Sequence, residues 1–338
     1  MLLSVLIVNW NTRDALASCL AALLPALNGI EAEVIVVDNG STDGSAQFAR
    51  DSSPSVRLME NRENRGFAEA NNQAFAQATG EFILLLNNDA VLRPSDVDQL
   101  LAPLRADATL GGTIPTLLNE DGSTQYGYHR RRATVLRLLG TMLHNGGLWP
   151  GNPWARAYLM LDDDLSRNQT VEEPAAACLL LRRRAIEDSG GLFDADRFPI
   201  HFNDADLAKR LTAHRWRVQL VSSVRVQHVG GKTVRRIDPY LLKTFYQVSF
   251  IAFVRSFRPA PVTWLVKGVL LTLDAALLGF TSLGLLHRFF GTPIEDRAAS
   301  LRAQRQLLTA VAAEALPALP TQVAANPLPI PRKERILP

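Results

Sequence analysis

A continuous apolar run, Phe82-Ile83-Leu84-Leu85-Leu86, stops abruptly at Asn87-Asn88-Asp89. Five consecutive apolar residues do not alternate between a wet and a dry face. They suit a strand buried on both sides, as in a sheet covered by helices. Ligands of open α/β sheets bind just beyond the carboxyl ends of the strands. A lone carboxylate placed there beside two amides suits a hard divalent cation that also holds phosphate oxygens. Read alone, Asn-Asn-Asp favours a simple turn; the rest of the chain decides between the two.

The same pattern recurs three times upstream. Leu3–Val8 runs into Asn9-Trp10-Asn11. Val34–Val37 runs into Asp38-Asn39-Gly40-Ser41. Val56–Met59 runs into the polar stretch that ends Asn64-Arg65-Gly66-Phe67. Between these runs the spacing is helical. Ala15, Leu16, Cys19, Leu20 and Leu23 follow Thr12, which is placed to cap a helix. A short helix is expected from Asp43, another over Phe67–Ala78 ending near Gly80, and a further one capped by Ser95 or Asp96. Alternating strands and helices imply a mostly parallel sheet with right-handed crossovers. Its four polar loops then converge on one edge. Asp38 can accept from a ribose hydroxyl or a base N–H, and Gly40 and Gly66 permit close backbone approach. Neither Gly-x-Gly-x-x-Gly nor a complete P-loop motif is present, which excludes those two phosphate-binding devices.

From Gly111 to Asn168 the pattern loosens. Gly, Pro, Tyr and Trp are frequent and Arg130-Arg131-Arg132 forms a basic run, so turns, a hairpin at Asp121-Gly122 and a mobile substrate-side segment are expected. Pro174–Leu181 reads as a buried strand. Arg184–Ser189 reads as a short helix stopped by Gly190-Gly191, Asp204–Ala213 as a helix, and Val218–Val221 and Val224–His228 as two strands. Asp204 and Asp206 fall near a helix start, where the dipole stabilises carboxylates. A carboxylate beside a phosphate-linked donor could also serve as a general base. His228 ends a strand just before Gly230-Gly231.

The charge is uneven. Between Lys232 and Arg305 eleven basic residues face four acidic ones, so this stretch carries +7 of a total of +3 and the remainder is −4. An acidic body excludes a nucleic-acid binder, whose basic residues would have to spread over the body. Pro261–Leu286 is strongly apolar, but Lys267 and Asp274 interrupt it, and the uncharged piece Ala275–Leu286 is too short to span a bilayer. Upstream, Phe245, Tyr246, Phe250, Phe253 and Phe257 interleave with Lys243, Arg255 and Arg258. This pattern fits helices lying on an anionic membrane surface. The expected division is 1–235 catalytic, 236–312 helical and membrane-docking, and 313–338 a Pro-rich disordered tail. The apolar start at Leu2 reads as a first strand and not as a signal peptide. Cys19 and Cys178 lie in apolar surroundings and read as buried thiols of a reducing compartment.

The stretches SVLIVNWN, VIVVDNGSTDGS, NRGFAEANN, LLLNNDA, GGLFD, NDADLAKR and HVGGKT, in this order, resemble the inverting family 2 glycosyltransferases with the GT-A fold. Within them they are similar to the rhamnosyltransferase-like and galactofuranosyltransferase-like group that builds bacterial surface polysaccharides. The resemblance covers roughly residues 1–260. It implies that Asn9 and Asp38 hold base and ribose, and that Gly66, Phe67 and Asn71 line the nucleotide pocket. Asn87-Asn88-Asp89 takes the family's Asp-x-Asp position, with Asp89 and His228 as ligands of Mg²⁺ or Mn²⁺. Asp204 takes the position of the catalytic base, with Asn203 and Asp206 as possible support. The implied partners are a dTDP- or UDP-sugar donor and a lipid-linked or polysaccharide acceptor, met on the cytoplasmic face of the membrane. Three departures stand out: Asn87 replaces the first Asp of Asp-x-Asp, Asn203 replaces the Glu of a Glu-Asp pair, and His201 replaces an aromatic residue. Two rival readings are a sugar-phosphate nucleotidyltransferase and a catalytically silent nucleotide- or glycan-binding scaffold. The first needs a Gly-rich basic loop after strand one, where Val8–Asp14 offers only Arg13. The second leaves Asp89, Asp204 and His228 without purpose.

Overall fold

The computed structural model describes residues 2–145, 147–230, 237–282 and 297–321. The chain divides into two compact units. Among described residues the first holds 2–199 and 203–230, and the second holds 200–202 and 237–321.

In the first unit the elements run β1 (Leu3–Asn9), α1 (Arg13–Ala26), β2 (Ala32–Asp38), α2 (Ser45–Ser52), β3 (Val56–Glu60), α3 (Gly66–Gln77), β4 (Phe82–Leu86), β5 (Ala90–Val91) and α4 (Asp96–Ala106). They continue with β6 (Leu110–Leu118), β7 (His129–Arg130), α5 (Val135–Asn145), α6 (Pro153–Tyr158), β8 (Gln169–Thr170) and β9 (Glu173–Pro174). The unit closes with β10 (Cys178–Arg182), α7 (Arg183–Asp188), α8 (Asn203–Ala213) and β11 (Arg217–His228). The sheet order is β3-β2-β1-β4-β10-β6-β11-β5, with β8 on β11. Six of the nine strands point the same way; β5, β8 and β10 run against them. The doubly covered strands explain the apolar runs: every side chain of β4 and β6 is buried. One layer of core, with Leu16, Leu20, Leu23, Leu100 and Leu104, lies on one face of the sheet. Ala70, Ala74, Ile186, Leu207 and Leu211 cover the other.

Four local expectations need correction. Residues 110–118 form a fully buried strand and 135–145 a helix, where the sequence pattern had indicated turns and a mobile segment. Gly111 and Gly112 read as breakers, yet here the missing side chains are what lets the strand fit. A Cβ on Gly111 would lie 2.8 Å from the Trp216 Cβ, and one on Gly112 would lie 2.8 Å from the Leu180 carbonyl oxygen. The two strands expected at 218–221 and 224–228 are one, β11. Its register jumps between Val221 and Arg225, opposite Pro115 and Thr116 of β6. Pro115 has no N–H to give the ladder, so a bulge falls there. Thr12 stands at the start of α1, but its hydroxyl does not cap it; it donates to Asn9 Oδ1 at 2.9 Å. The hairpin at Asp121-Gly122 is present, with Asn119 N–H donating to the Ser123 carbonyl at 2.8 Å.

In the second unit α9 (Pro239–Arg255), α10 (Ala260–Ser282) and α11 (Arg297–Ala313) pack together. The interleaved aromatics of α9 are not displayed on a face: Phe245, Phe250 and Phe253 are buried, and Phe202 stacks on Phe250 and Phe253. The charged breaks of α10 are turned inward and paired. Lys267 Nζ reaches Glu314 Oε1 at 2.9 Å, and Asp274 Oδ1 accepts from Lys243 Nζ at 2.5 Å. Trp264, Leu265, Val269 and Leu273 are exposed on the same helix. Ala260–Gly279 is long and apolar enough to cross a membrane by length and composition. Gly231–Arg236, Leu283–Asp296 and most of the Pro-rich tail, 322–338, lie outside the described residues.

Candidate functional site

Parallel pairing of β1 and β2 sets Asn9 opposite Asp38 at the carboxyl edge of the sheet. Asn9 Nδ2 donates to Asp38 Oδ1 at 3.1 Å, and the Ser41 N–H donates to Asp38 Oδ2 at 2.8 Å. The Asn88 amide joins in, donating to Asn9 Oδ1 and Thr12 Oγ1, both at 2.6 Å. Loops from three strands are therefore tied through buried side chains, and among the described residues each Asp38 oxygen accepts one of these hydrogen bonds and has a second lone pair to offer. The third loop is fastened by Asn39. Its Nδ2 donates to the Gly66 carbonyl at 3.1 Å, and its Oδ1 accepts from Asn61 Nδ2 at 2.8 Å. Gly40 has φ +76°, and a Cβ there would sit 2.9 Å from Glu63 Cα, so only glycine lets the second and third loops meet. Gly66, at φ +82°, opens α3. One turn on, Asn71 Nδ2 donates to the Phe67 carbonyl at 2.8 Å. The Phe67 ring lies 5.9 Å from that of Phe193.

The two-residue strand β5 pairs antiparallel with the end of β11, Ala90 against His228. This draws Asp89 and His228 together across 139 positions of sequence: Asp89 Oδ1 and His228 Nε2 are 3.2 Å apart, and both side chains are buried. The Gly230 N–H donates to Asp89 Oδ2 at 3.0 Å. Asn87 Nδ2 lies 3.1 Å from the same Nε2. On the far side of the ring, His228 Nδ1 meets Gln125 Oε1 at 2.7 Å, and Gln125 Nε2 donates to the His228 carbonyl at 3.3 Å. The Gln125 amide is thereby oriented with its oxygen on Nδ1, so Nδ1 carries a proton and Nε2 is the nitrogen turned toward Asp89. Tyr128 stands edge-on to the imidazole, centroids 5.0 Å apart. Carboxylate and imidazole suit Mg²⁺ or Mn²⁺. No set of three His, Cys, Asp or Glu converges among the described residues. The residues fit a cation that takes most of its ligands from substrate phosphates and water, the usual habit of Mg²⁺.

Asp204 lies in the first turn of α8. Its Oδ1 accepts the Ala205 N–H at 2.8 Å and its Oδ2 accepts from Arg130 Nη2 at 2.7 Å. Arg130 Nε is 3.0 Å from Glu173 Oε1, and the Tyr158 hydroxyl donates to that same oxygen. Burial pushes the Glu173 carboxyl up while Arg130 opposes the shift; burial also pushes the Tyr158 phenol up, reinforced by the Glu173 charge. Asn203 Oδ1 accepts the Asp204 N–H at 2.7 Å. Asp206 is turned elsewhere: its Oδ2 accepts from Arg210 Nε at 2.7 Å. The rest of the Arg210 guanidinium donates to the carbonyls of Ser189, Gly191 and Leu192. Gln125, Tyr128, Arg130, Tyr158 and Glu173 were not picked out by sequence; only the basic run at 130–132 hinted at any of them.

Residues 4–190 match the family profile of Glycosyl transferase family 2. The chain is 29% identical over 255 residues to an N-acetylglucosaminyl-diphospho-decaprenol L-rhamnosyltransferase of Mycobacterium tuberculosis, covering 70% of this chain and 80% of that one. It is 29% identical over 246 residues to the succinoglycan biosynthesis protein ExoU of Rhizobium meliloti, 70% of this chain and 65% of the relative. It is 28% identical over 252 residues to the O-antigen biosynthesis protein RfbC of Myxococcus xanthus, 71% of this chain and 18% of RfbC. The fold is similar to that of the mannosyltransferase PcManGT from Pyrobaculum calidifontis, with a TM-score of 0.53 at 17% identity over 92% of this chain and 86% of that one. It is also similar to that of GalNAc-T7, with a TM-score of 0.51 at 15% identity over 93% and 56% of the two chains. The chain belongs to glycosyl transferase family 2 and is a glycosyltransferase of the GT-A fold.

Proposed function

We propose that this enzyme moves a sugar, L-rhamnose as first choice, from a dTDP- or UDP-linked donor to a lipid-linked or polysaccharide acceptor, in one metal-dependent displacement that inverts the anomeric centre. The observation that carries the reading is the buried meeting of Asp89 and His228 at the carboxyl edge of the sheet. Support for the sugar and the acceptor comes from the mycobacterial relative, named for rhamnose transfer to a diphospho-decaprenol glycan. Support for the cation comes from the donor set and from the PcManGT and GalNAc-T7 structures, both described with Mn²⁺.

Asp89 and His228 would hold Mg²⁺ or Mn²⁺, which when bound offsets the charge that builds on the leaving nucleotide diphosphate. Asn9, Asp38, Gly66, Phe67 and Asn71 form the nucleotide side of the donor pocket, with Asn87 and Asn88 fixing the loop between. Asp204 takes the proton of an acceptor hydroxyl as its oxygen attacks the anomeric carbon. The bond from that carbon to the diphosphate breaks, and the nucleotide diphosphate leaves with the electron pair. General-base assistance of this kind contributes roughly 10²–10⁴ in rate.

The enzyme works on the cytoplasmic face of an anionic membrane. Support comes from α10, where Lys267 and Asp274 are each paired inside the unit while Trp264, Leu265, Val269 and Leu273 are exposed. Wild-type protein is expected to pellet with vesicles containing phosphatidylglycerol. A Trp264→Ser/Leu265→Ser/Leu273→Ser chain should stay in the supernatant, and pelleting at the wild-type level rejects this surface.

A thermal-shift panel of nucleotide diphosphates with and without Mn²⁺ tests the donor reading. A ligand at 100 times its Kd stabilises the native state by about 2.7 kcal/mol. A Mn²⁺-dependent rise in Tm with dTDP or UDP is expected. Folded protein that responds to no nucleotide contradicts the reading and favours a silent scaffold.

A further inference from the structure

Four groups from separate elements meet behind Asp204. Arg130 of β7 and Glu173 of β9 are register partners across an antiparallel pair. Tyr158 ends α6, and Asp204 opens α8. The Arg130 side chain donates two hydrogen bonds, from Nη2 to Asp204 Oδ2 at 2.7 Å and from Nη1 to the Gly127 carbonyl at 3.3 Å, and its Nε faces Glu173 Oε1 at 3.0 Å as an ion pair without hydrogen-bond geometry. Glu173 is itself pinned, with Oε1 accepting from the Tyr158 hydroxyl and Oε2 from the Ala133 N–H at 3.2 Å. Side-chain exposure is 4% for Glu173, 15% for Arg130 and 18% for Asp204, so Glu173 is the buried end while Arg130 and Asp204 both reach solvent.

The charge count is informative. One guanidinium serves two carboxylates, and the cluster keeps a net −1. An arginine paired with Asp204 alone would orient it but would also take up its charge and weaken it as a proton acceptor. A second, buried carboxylate on the neighbouring nitrogen returns part of that charge. The sequence carries Asn203 where its family resemblance places a Glu beside the base. The fold brings a carboxylate to Asp204 from a different strand.

We propose that Arg130 is the positioning residue of Asp204, and that Glu173, steadied by Tyr158, sets how much of the Arg130 charge Asp204 receives. This rests on Asp204 being the base. A planar guanidinium is required, because a lysine ammonium cannot address two carboxylates from one rigid edge. The charged and titratable groups facing Asp204 in this cluster are Arg130, Glu173 and Tyr158; on its own helix, Asp206 is engaged by Arg210.

The test is the pH profile of kcat/KM for turnover of dTDP-L-rhamnose with Mn²⁺ by full-length variants. Asp204→Asn is the control on the base itself: loss of at least about 100-fold is expected, and near-wild-type turnover sinks the base reading, whatever Arg130 does. With that loss in hand, Arg130→Met should lower kcat by about 100-fold through misplacement of the base, with little change in donor KM. Its acid limb should move to higher pH, because the cation beside the carboxylate is gone. Glu173→Gln, nearly isosteric, should move the acid limb the other way. Opposite movements are the signature of charge sharing. Acid limbs that stay in place, or both move in one direction, overturn the proposal. If Arg130→Met does not fold, Arg130→Lys and Glu173→Gln carry the test: Arg130→Lys is expected to stay at least about 10-fold down, and full recovery of rate and profile contradicts the need for the fork.

Discussion

Gln125 Oε1 lies 2.7 Å from His228 Nδ1, and that contact decides which imidazole nitrogen faces Asp89. Groups that orient a metal-binding histidine from behind typically contribute 10–100-fold in metal affinity. Gln125→Leu is therefore expected to weaken Mn²⁺ binding by about that factor. Mn²⁺ titration by electron paramagnetic resonance in the presence of dTDP reads it directly. Unchanged affinity in a folded variant means that His228 does not ligate the ion.

His129 gives the fold a dependence on acid. It is buried, its Nε2 lies 2.8 Å from the Pro115 carbonyl, and its Nδ1 has no partner among the described residues. A carbonyl only accepts, so Nε2 carries the proton of a neutral ring. Burial holds the folded-state value below the ordinary 6.5. The unfolded chain thus takes up a proton more readily, and stability is complete above about pH 6.5 and lost as pH falls from there toward the folded value. Tm measured from pH 8 to 5 should fall more for wild type than for His129→Gln. Parallel curves would place the acid sensitivity elsewhere.

Gly112 is a packing position. Alanine there would drive its Cβ to 2.8 Å from the Leu180 carbonyl oxygen, backbone that cannot swing away. Overpacking of this kind costs about 1–3 kcal/mol. Urea unfolding of Gly112→Ala should show a lowered midpoint with an unchanged slope.

Cys19 and Cys178 are both buried, and burial pushes both thiols far above the ordinary range. Thiolate is the reactive form. Iodoacetamide should leave both untouched in native protein and modify both in guanidinium chloride. Rapid native labelling of either would show that its cover opens readily.

The first four strands and their loops were legible because each apolar run is followed by an unbroken polar cluster, and the helices between them keep strict spacing. Asp89, His228 and Asp204 were singled out from the motifs around them, and the structure brings the first two within 3.2 Å of each other. β6 was not, since Gly111, Gly112 and Pro115 look like turn residues until the neighbours that crowd Gly111 and Gly112 are known. The aromatic series of α9 was misread as an exposed face because interleaved Phe and Arg carry no signal of which side is covered. Arg130 and Glu173 stand 43 positions apart and in no motif; only the antiparallel pairing of β7 and β9 brings them to Asp204.

Asp204 acting as the base of a single, inverting displacement fixes both the rate and the configuration of the product. The most direct measurement compares wild type with Asp204→Asn for transfer from dTDP-L-rhamnose to an N-acetylglucosaminyl-diphospho-lipid in Mn²⁺, with the anomeric configuration of the product read by NMR. An inverted product is expected from wild type, and a rate at least about 100-fold lower from the variant. A retained configuration, or a variant that transfers at the wild-type rate, contradicts it.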